Sequence, residues 1–196
     1  FAPHYPEIFI DSGGSSAMTQ GVSSDLPAHA AFLTRFAHRI TVSANLDSIG
    51  NAQKTADNQK RLEDMGLRPI PVFHTGEDFK WLEAYIERYP YIALGGMVPY
   101  MKLWQKIMPW LVRCFRMADK RSVYHGFGCT TWNIISRVPW YSVDSSSWCA
   151  SFRFGSVNLF DPRTGKWTGF NHGDLKTCRV AEKIIKEYGF DWVDIP

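Results

Sequence analysis

The sequence lacks the cysteine spacing of a structural metal site. Its four cysteines are Cys114, Cys129, Cys149 and Cys178, and no two of them stand as Cys-x-x-Cys, the spacing that zinc-binding loops commonly use. We therefore expect neither a metal nor a cofactor, and we interpret the cysteines as free thiols of a reducing, cytoplasmic compartment.

Long apolar runs and nucleotide-binding loops are missing too. No stretch approaches the ~20 apolar residues that a membrane-spanning helix needs, and no signal-peptide pattern is visible. Neither Gly-x-Gly-x-x-Gly nor a phosphate-loop motif follows the first predicted strand, which disfavours the usual nucleotide-binding open sheets. We expect a protein that does not insert into a membrane.

The composition is that of a globular protein with a weak positive charge. Of the 196 residues, 45% are hydrophobic and 15% are aromatic, and the formal net charge is +3. This charge permits nucleic-acid binding without arguing for it. The densest basic region, residues 102–121, is more typical of a solvated helix face than of a binding stripe.

Short apolar runs alternate with amphipathic ones along the chain. Strands are predicted over residues 8–10, 40–45, 69–73, 91–94, 122–124 and 140–143, with a further strand at 157–160. Helices are predicted over residues 26–39, 52–65, 77–89, 101–117, 131–136 and 174–188, the fourth of them kinked or split at Pro109. Residues 161–165 are more typical of a hairpin turn than of a phosphate-binding segment.

This alternation predicts an α/β fold with a parallel sheet. Polar or glycine-rich residues follow each strand, which is where barrel enzymes place their chemistry. We therefore predict a (β/α)8 TIM-type barrel, incomplete at the N-terminus of this chain, whose eighth strand either precedes Phe1 or is lacking. The whole chain, 1–196, would be a single barrel domain, with residues 161–196 as a C-terminal extension packed on it.

Two aspartates end predicted strands and are the main catalytic candidates. Asp11 ends the first strand and precedes Ser12 and Gly13, whereas Asp144 follows the strand at 140–143. A carboxylate at the end of a buried strand suits a nucleophile or a general base. Capping of the next helix or turn is the competing interpretation for both residues.

Other polar and glycine residues end the remaining strands. Asp47 is a third carboxylate, although its segment also fits a plain turn. His74 and His125 are more typical of structural imidazoles than of metal ligands, and Gly95-Gly96 would admit a flat ligand or a phosphate. Aspartates without a metal, beside glycines, fit displacement at a sugar carbon: one carboxylate attacks and another handles the leaving base.

Several motifs in a shared order resemble the tRNA-guanine transglycosylase superfamily. They are Asp-Ser-Gly-Gly at 11–14, Leu-Gly-Gly-Met at 94–97, His-Gly-Phe-Gly at 125–128 and Ser-Val-Asp at 142–144. The likeness is closer to its short phage and bacterial relatives, some of which insert 7-deazaguanine bases into DNA. Three strings carry that likeness: Ala-Asn-Leu-Asp at 44–47, Pro-Val-Phe-His-Thr-Gly-Glu-Asp at 71–78 and Tyr-Ser-Val-Asp-Ser-Ser-Ser-Trp at 141–148.

The resemblance, which spans about residues 8 to 160, implies a (β/α)8 barrel and roles for individual residues. Asp144 takes the place of the nucleophile that bonds the sugar C1′, and Asp11 that of the aspartate acting in proton transfer near the base. Asp47 takes the place of a base-recognising carboxylate. The other base-binding candidates are His74, which stands where the family has a glutamine, and Ser12, Gly13, Gly95 and Gly96. His125 and Trp148 are further candidates at the same site.

Two departures from the tRNA enzymes favour DNA over tRNA as the substrate. Asp-Ser-Gly-Gly continues into Ser15-Ser16 instead of Phe-Gln, and the zinc-binding cysteine cluster that supports tRNA docking is absent. We therefore expect a glycosyltransferase that exchanges a guanine in DNA for a 7-deazaguanine base in a bacterial or phage-infected cell.

Three alternatives stay open from the sequence. A hydrolytic DNA glycosylase on the same scaffold would excise a base and leave an abasic site, and the incoming nucleophile that separates it from base exchange leaves no motif. A non-catalytic barrel that only binds nucleic acid and a hydrolase of small glycosides are the other two. The oligomeric state is not predicted.

Overall fold

The computed structural model describes residues 7–13, 25–129, 131–146, 155–171 and 178–191. The chain divides into two compact units, Phe1–Asp144 and Ser145–Pro196. The first unit holds parallel strands and helices, and the second holds an antiparallel hairpin and a helix. No helix among the described residues is long and apolar enough to cross a membrane.

The first unit contains all six of the parallel strands predicted from the sequence in this region. They are β1 (Phe9–Ile10), β2 (Val42–Ser43), β3 (Val72–His74), β4 (Tyr91–Gly95), β5 (Val123–Gly126) and β6 (Ser142–Val143). β1 pairs with β2, and β3 to β6 form a four-stranded sheet in chain order. A parallel bridge between Ala44 and Ile70 joins the two groups. The mixed α/β class and the parallel pairing are therefore confirmed.

Helices connect these strands, as the sequence predicts. They are α1 (Leu26–Arg35), α2 (Ala52–Asp64), α3 (Phe79–Arg88), α4 (Trp104–Ala118) and α5 (Trp132–Ile135). Asp25, Asn51 and Asp78 cap the first three, each accepting a backbone N–H of the first turn. α4 is not split at Pro109. Pro109 is in its second turn, where the ring removes one hydrogen bond and leaves the rest of the ladder intact.

The sheet of the first unit is curved. The Phe9 ring of β1 stacks on the His125 ring of β5, with centroids 4.3 Å apart, and Phe127 packs edge-on against both. Three strands separate β1 from β5, so a flat sheet would hold them about 19 Å apart. The rings can meet only across a concave face, where Ala44 and Val72 are also buried.

The opposite face of the sheet packs on the helices. Alternation along the strands turns Phe73, Leu94 and Tyr124 to this side, where all three are fully buried against residues of α3 and α4 such as Leu82 and Leu111. Because this core fixes the strands from outside, the concave face and the carboxyl ends of the strands are left to carry polar groups.

The second unit corrects one strand prediction. β7 (Ser156–Asp161) pairs antiparallel with β8 (Lys166–Asn171), so the interpretation of 157–160 as a seventh parallel strand is wrong. The four residues between β7 and β8 are too few for a parallel crossover. The hairpin turn at 161–165 is confirmed, since the Gly165 N–H donates to the Asp161 carbonyl. α6 (Arg179–Glu187) follows; the predicted start of this helix, residues 174–177, lies outside the described residues.

Candidate active site

The three aspartates that the sequence singles out converge at the carboxyl ends of the strands. Asp11 follows β1, Asp47 follows β2 and Asp144 follows β6. They are close enough for the charges of Asp47 and Asp144 to act on Asp11. β1 and β6 lie at opposite ends of the strand order, so this meeting is a consequence of the curved sheet.

Asp11 is the carboxyl group of this site whose pKa is raised. Partial desolvation by the surrounding protein is the largest cause, and the negative charges of Asp47 and Asp144 add to it. Backbone N–H groups of Ser12 and Gly13 oppose the shift without cancelling it. Asp11 nevertheless stays accessible to solvent. A carboxyl group with these properties can hold and deliver a proton.

Asp47 is buried and bound on both sides. Its Oδ1 accepts the Ser12 hydroxyl at 2.5 Å, and its Oδ2 lies 2.7 Å from Nε2 of His74. On the other side of the His74 ring, Nδ1 lies 3.0 Å from Oε1 of Glu77. The second Glu77 oxygen accepts the backbone N–H of His74 at 2.9 Å. Four residues thus form one buried chain, Ser12–Asp47–His74–Glu77.

Two carboxylates make His74 a cation. Each ring nitrogen faces a carboxylate oxygen, which can only accept, so both nitrogens must donate. Burial lowers the pKa of His74, but Asp47 and Glu77 outweigh it and raise that pKa to about 9. Although burial also opposes ionisation of Asp47, His74 and Ser12 lower the pKa of that carboxyl group. Neither ring nitrogen of His74 is left open to a ligand.

This ion cluster makes a pH-dependent contribution to the folded state. The pKa of His74 rises from its ordinary 6.5 to about 9 on folding, so the stabilisation is complete below about pH 6.5. It is lost as the pH increases through about 9, where the imidazolium gives up its proton.

Asp144 is a half-exposed and ionised carboxylate of the site. Its side chain is 45% exposed, and its Oδ1 accepts the Gly128 N–H at 2.8 Å. Nε2 of His125 is 3.8 Å from the same oxygen. Burial opposes ionisation, yet His125 and the Gly128 N–H hold the pKa of Asp144 below its usual value. Asp144 can therefore present a negative charge to a ligand.

A second polar chain lies behind Asp144. Nδ1 of His125 is 2.6 Å from the Ser142 hydroxyl, which is 2.6 Å from the Tyr91 hydroxyl. The Phe9 ring stacks on one face of the His125 imidazole. The buried Nε2 of His125 has no hydrogen-bond partner among the described residues and faces Asp144. His125 is thus fixed at Nδ1 and by stacking, with Nε2 directed towards the carboxylate.

The glycines at 95 and 96 serve the packing of this site. A Cβ on Gly95 would lie 2.8 Å from Cδ2 of His74, and one on Gly96 would lie 2.7 Å from Oγ1 of Thr75. Gly96 also has a φ of +71°, which glycine adopts without strain. The carbonyls of both glycines accept from Thr75. Gly95 is therefore what allows His74 to lie against β4.

We expect Gly95→Ala to destabilise the protein by about 1–3 kcal/mol, as overpacking of a well-filled site does. The His74 ring cannot move aside, because both of its nitrogens are held. Urea unfolding of Gly95→Ala, His74→Ala and the double variant would measure this. The cost of Gly95→Ala should shrink when the ring is absent; an equal cost in both backgrounds would show that the ring is not the obstacle.

Several residues of the site are not predicted from the sequence. Alternation along a strand could have found Phe9 and Ser142, since each is two residues before an aspartate of the site. Glu77 follows His74 by three residues in a turn, a spacing with many other uses. His29 on α1 had no signal in the sequence. Burial lowers the pKa of His29, whereas a backbone hydrogen bond with Ala44 and the charges of Asp11 and Asp47 act against this.

Three further residues were predicted at the site: Ser12, Gly13 and Trp148. Ser12 joins the site through Asp47. Gly13 has a φ of +72°, and no atom of the described residues comes within 4 Å of the position of a Cβ there. Trp148 lies outside the described residues. Within the part of the chain that the structure describes, no three His, Cys, Asp or Glu side chains are placed to hold a metal ion.

Comparison with known proteins adds no relative to this picture. No model of a protein family, no curated protein and no solved structure matches the chain.

Proposed function

We propose that this chain is a nucleic-acid base-exchange enzyme that replaces a guanine with a 7-deazaguanine base, with DNA favoured over tRNA. The observation that carries the proposal is the pairing of two carboxyl groups with opposite pKa shifts. The pKa of the half-exposed Asp144 is lowered, whereas the pKa of neighbouring Asp11 is raised. Such divergence separates a nucleophile from a proton donor.

In the proposed reaction, a carboxylate oxygen of Asp144 attacks C1′ of the nucleotide and the bond from C1′ to the guanine breaks. The electron pair of that bond stays on the guanine, which takes a proton from Asp11. The 7-deazaguanine base then gives a proton to Asp11, and its ring nitrogen attacks C1′. Asp144 leaves as a carboxylate, so both groups return to their starting states.

Asp47 is the proposed partner of the base. Its two oxygens already accept from Ser12 and His74, but a carboxylate has further lone pairs that can accept N–H groups of a guanine. Because neither nitrogen of His74 is available, we assign His74 no direct contact with the base. Gly13, where no described residue comes within 4 Å of the position of a Cβ, is the proposed point where the backbone approaches the base.

The distribution of charge supports a polynucleotide as the partner. Residues 91–143 contain seven Lys and Arg residues and one acidic residue, Asp119, whereas the whole chain contains 22 basic and 19 acidic residues. Lys102 lies just before α4 and Lys106 lies in its first turn, and both side chains are exposed. The Arg137 guanidinium stacks on the ring of Trp104, the first residue of α4. Basic side chains beside aromatic rings suit a phosphodiester chain.

We further propose that the scaffold is a (β/α)8 barrel. Six parallel strands in chain order, with helices between them and contact between β1 and β5 across a concave face, support this closure. The carboxyl ends of the strands would then form the mouth in which Asp11, Asp47 and Asp144 meet.

Mass spectrometry of DNA and of tRNA after incubation with the pure protein tests the function. Each polymer is treated with and without a 7-deazaguanine base. The proposal predicts a mass change in DNA that requires the added base. Released guanine and abasic sites without any added base would replace base exchange by a hydrolytic glycosylase on the same two carboxyl groups. Binding without any product would indicate a non-catalytic barrel.

A further inference from the structure

The buried chain Ser12–Asp47–His74–Glu77 ends in a carboxylate for which neither the motifs nor the proposed reaction has a use. Glu77 is in the turn between β3 and α3, and its side chain is only 6% exposed. It binds His74 twice, at Nδ1 and at the backbone N–H. Burying a carboxylate is unfavourable unless it is hydrogen-bonded, and both oxygens of Glu77 accept from the same residue. The simplest explanation is that Glu77 positions His74.

We propose that Glu77 and His74 are a positioning pair: Glu77 keeps His74 doubly protonated, and Nε2–H of His74 holds Asp47 in the orientation in which it receives the Ser12 hydroxyl and faces the base. The role in catalysis rests on the proposed function. The geometry itself, with four contacts of 2.5–3.0 Å, does not depend on it.

The pair also determines where the proton of Ser12 goes. The Ser12 hydroxyl has one proton, and it is 2.5 Å from Asp47 but 3.5 Å from Asp11. With Asp47 held as an acceptor by His74, this proton is committed to Asp47. Asp11 therefore receives little stabilisation of its charge from the Ser12 hydroxyl, in keeping with its raised pKa, although the Ser12 backbone N–H still lowers that pKa. Glu77 thus acts on Asp11 only through three intermediate groups.

The charged and titratable groups around His74 can each be assigned to one of its two carboxylates or to a contact beyond them. His74 is in contact with Asp47 and Glu77. Beyond them, Asp11 and His29 face Asp47, and Tyr85 of α3 faces Glu77. Asp47 and Glu77 are thus the two groups in contact with His74 that raise its pKa, and removal of Glu77 alone leaves one of them.

The first test is an NMR titration of the His74 ring in the whole protein without substrate. In the unaltered protein, the ring should titrate near pH 9. In Glu77→Gln, which keeps the size of the side chain but removes its charge, the midpoint should fall by about two pH units towards 6.5. Glu83→Gln, an exposed change on α3, is the matched control and should leave the midpoint unchanged.

The second test compares single-turnover base release from guanine-containing DNA by Glu77→Gln and by the unaltered protein. Their ratio of rates should be near one at pH 6, where His74 is protonated in both. It should fall about fivefold to tenfold at pH 8, where only the unaltered protein keeps the charge-assisted hydrogen bond to Asp47. Glu77→Asp should restore most of the loss, and Glu83→Gln should show a flat ratio.

Two results would overturn the inference. One is a His74 midpoint near 6.5 in the unaltered protein, which needs no variant to fold. The other is a lowered midpoint in Glu77→Gln with a rate ratio that does not change between pH 6 and 8, which would reduce the pair to a structural role. Failure of the proposed function is distinguishable, because it would appear as no base release by the unaltered protein whatever the His74 titration shows.

Discussion

Replacing Asp144 with asparagine should lower the rate of base release by about a thousandfold or more, the scale on which removal of a catalytic nucleophile acts. The amide has the size of the carboxyl group, and its oxygen can still accept the Gly128 N–H. It carries no charge with which to attack C1′. The fold should therefore survive while the reaction does not.

The measurement is single-turnover release of guanine from DNA, with circular dichroism and thermal unfolding to verify the fold. Asp57→Asn is the matched control, because Asp57 is exposed on α2 and, among the described residues, its side chain accepts from Gln53 of the same helix alone. It should leave the rate unchanged. A folded Asp144→Asn protein with an unchanged rate would exclude Asp144 as the nucleophile and with it the proposed mechanism.

Replacing Asp11 with asparagine should lower the rate by about a hundredfold to ten-thousandfold, the usual contribution of a general acid or base. The pH dependence should change as well. The raised pKa means that Asp11 carries its proton to a higher pH than an ordinary aspartate. The acid form is lost as the pH rises through that pKa, so base release by the unaltered protein should decline on this side. The substituted asparagine has no proton to lose, and the decline should disappear in the variant.

DNA containing 7-methylguanine gives this prediction a sharper form. A base alkylated at N7 already carries a positive charge and leaves without taking up a proton. The deficit of Asp11→Asn should therefore be much smaller on this DNA than on DNA with ordinary guanine, whereas the deficit of Asp144→Asn should be the same on both. Equal deficits of Asp11→Asn on the two DNAs would exclude proton donation as the role of Asp11.

The parts of the fold that the sequence predicts are those that depend on local pattern. Short apolar runs ending in Asp11, Asp47, His74 and Asp144 indicate parallel strands, and the carboxyl ends of such strands meet at one edge. For the hairpin of the second unit, the sequence predicts the turn but not the antiparallel pairing of its strands. The turn at 161–165 has a local signature, but the choice of an antiparallel neighbour depends on which strand is next, and the run at 157–160 alone does not contain that information.

The chemistry of individual side chains was less accessible from the sequence. His74 looked like a base contact because of its place in a motif, yet both of its nitrogens are bound to carboxylates. That outcome depends on how closely β2, β3 and the turn after β3 approach one another, because a few tenths of an ångström decide whether each hydrogen bond forms. Ser142 and Tyr91 likewise became parts of a chain behind Asp144 only because β4 to β6 are adjacent.

The central claim is that Asp144 bonds C1′ of a nucleotide, and the most direct test is the intact mass of the protein after acid quench of a reaction with DNA. The account predicts a covalent protein–DNA adduct that maps to the peptide containing Asp144. It should diminish when a 7-deazaguanine base is added and be absent from Asp144→Asn. Product formation with no adduct at any time, or an adduct on another residue, would contradict the account.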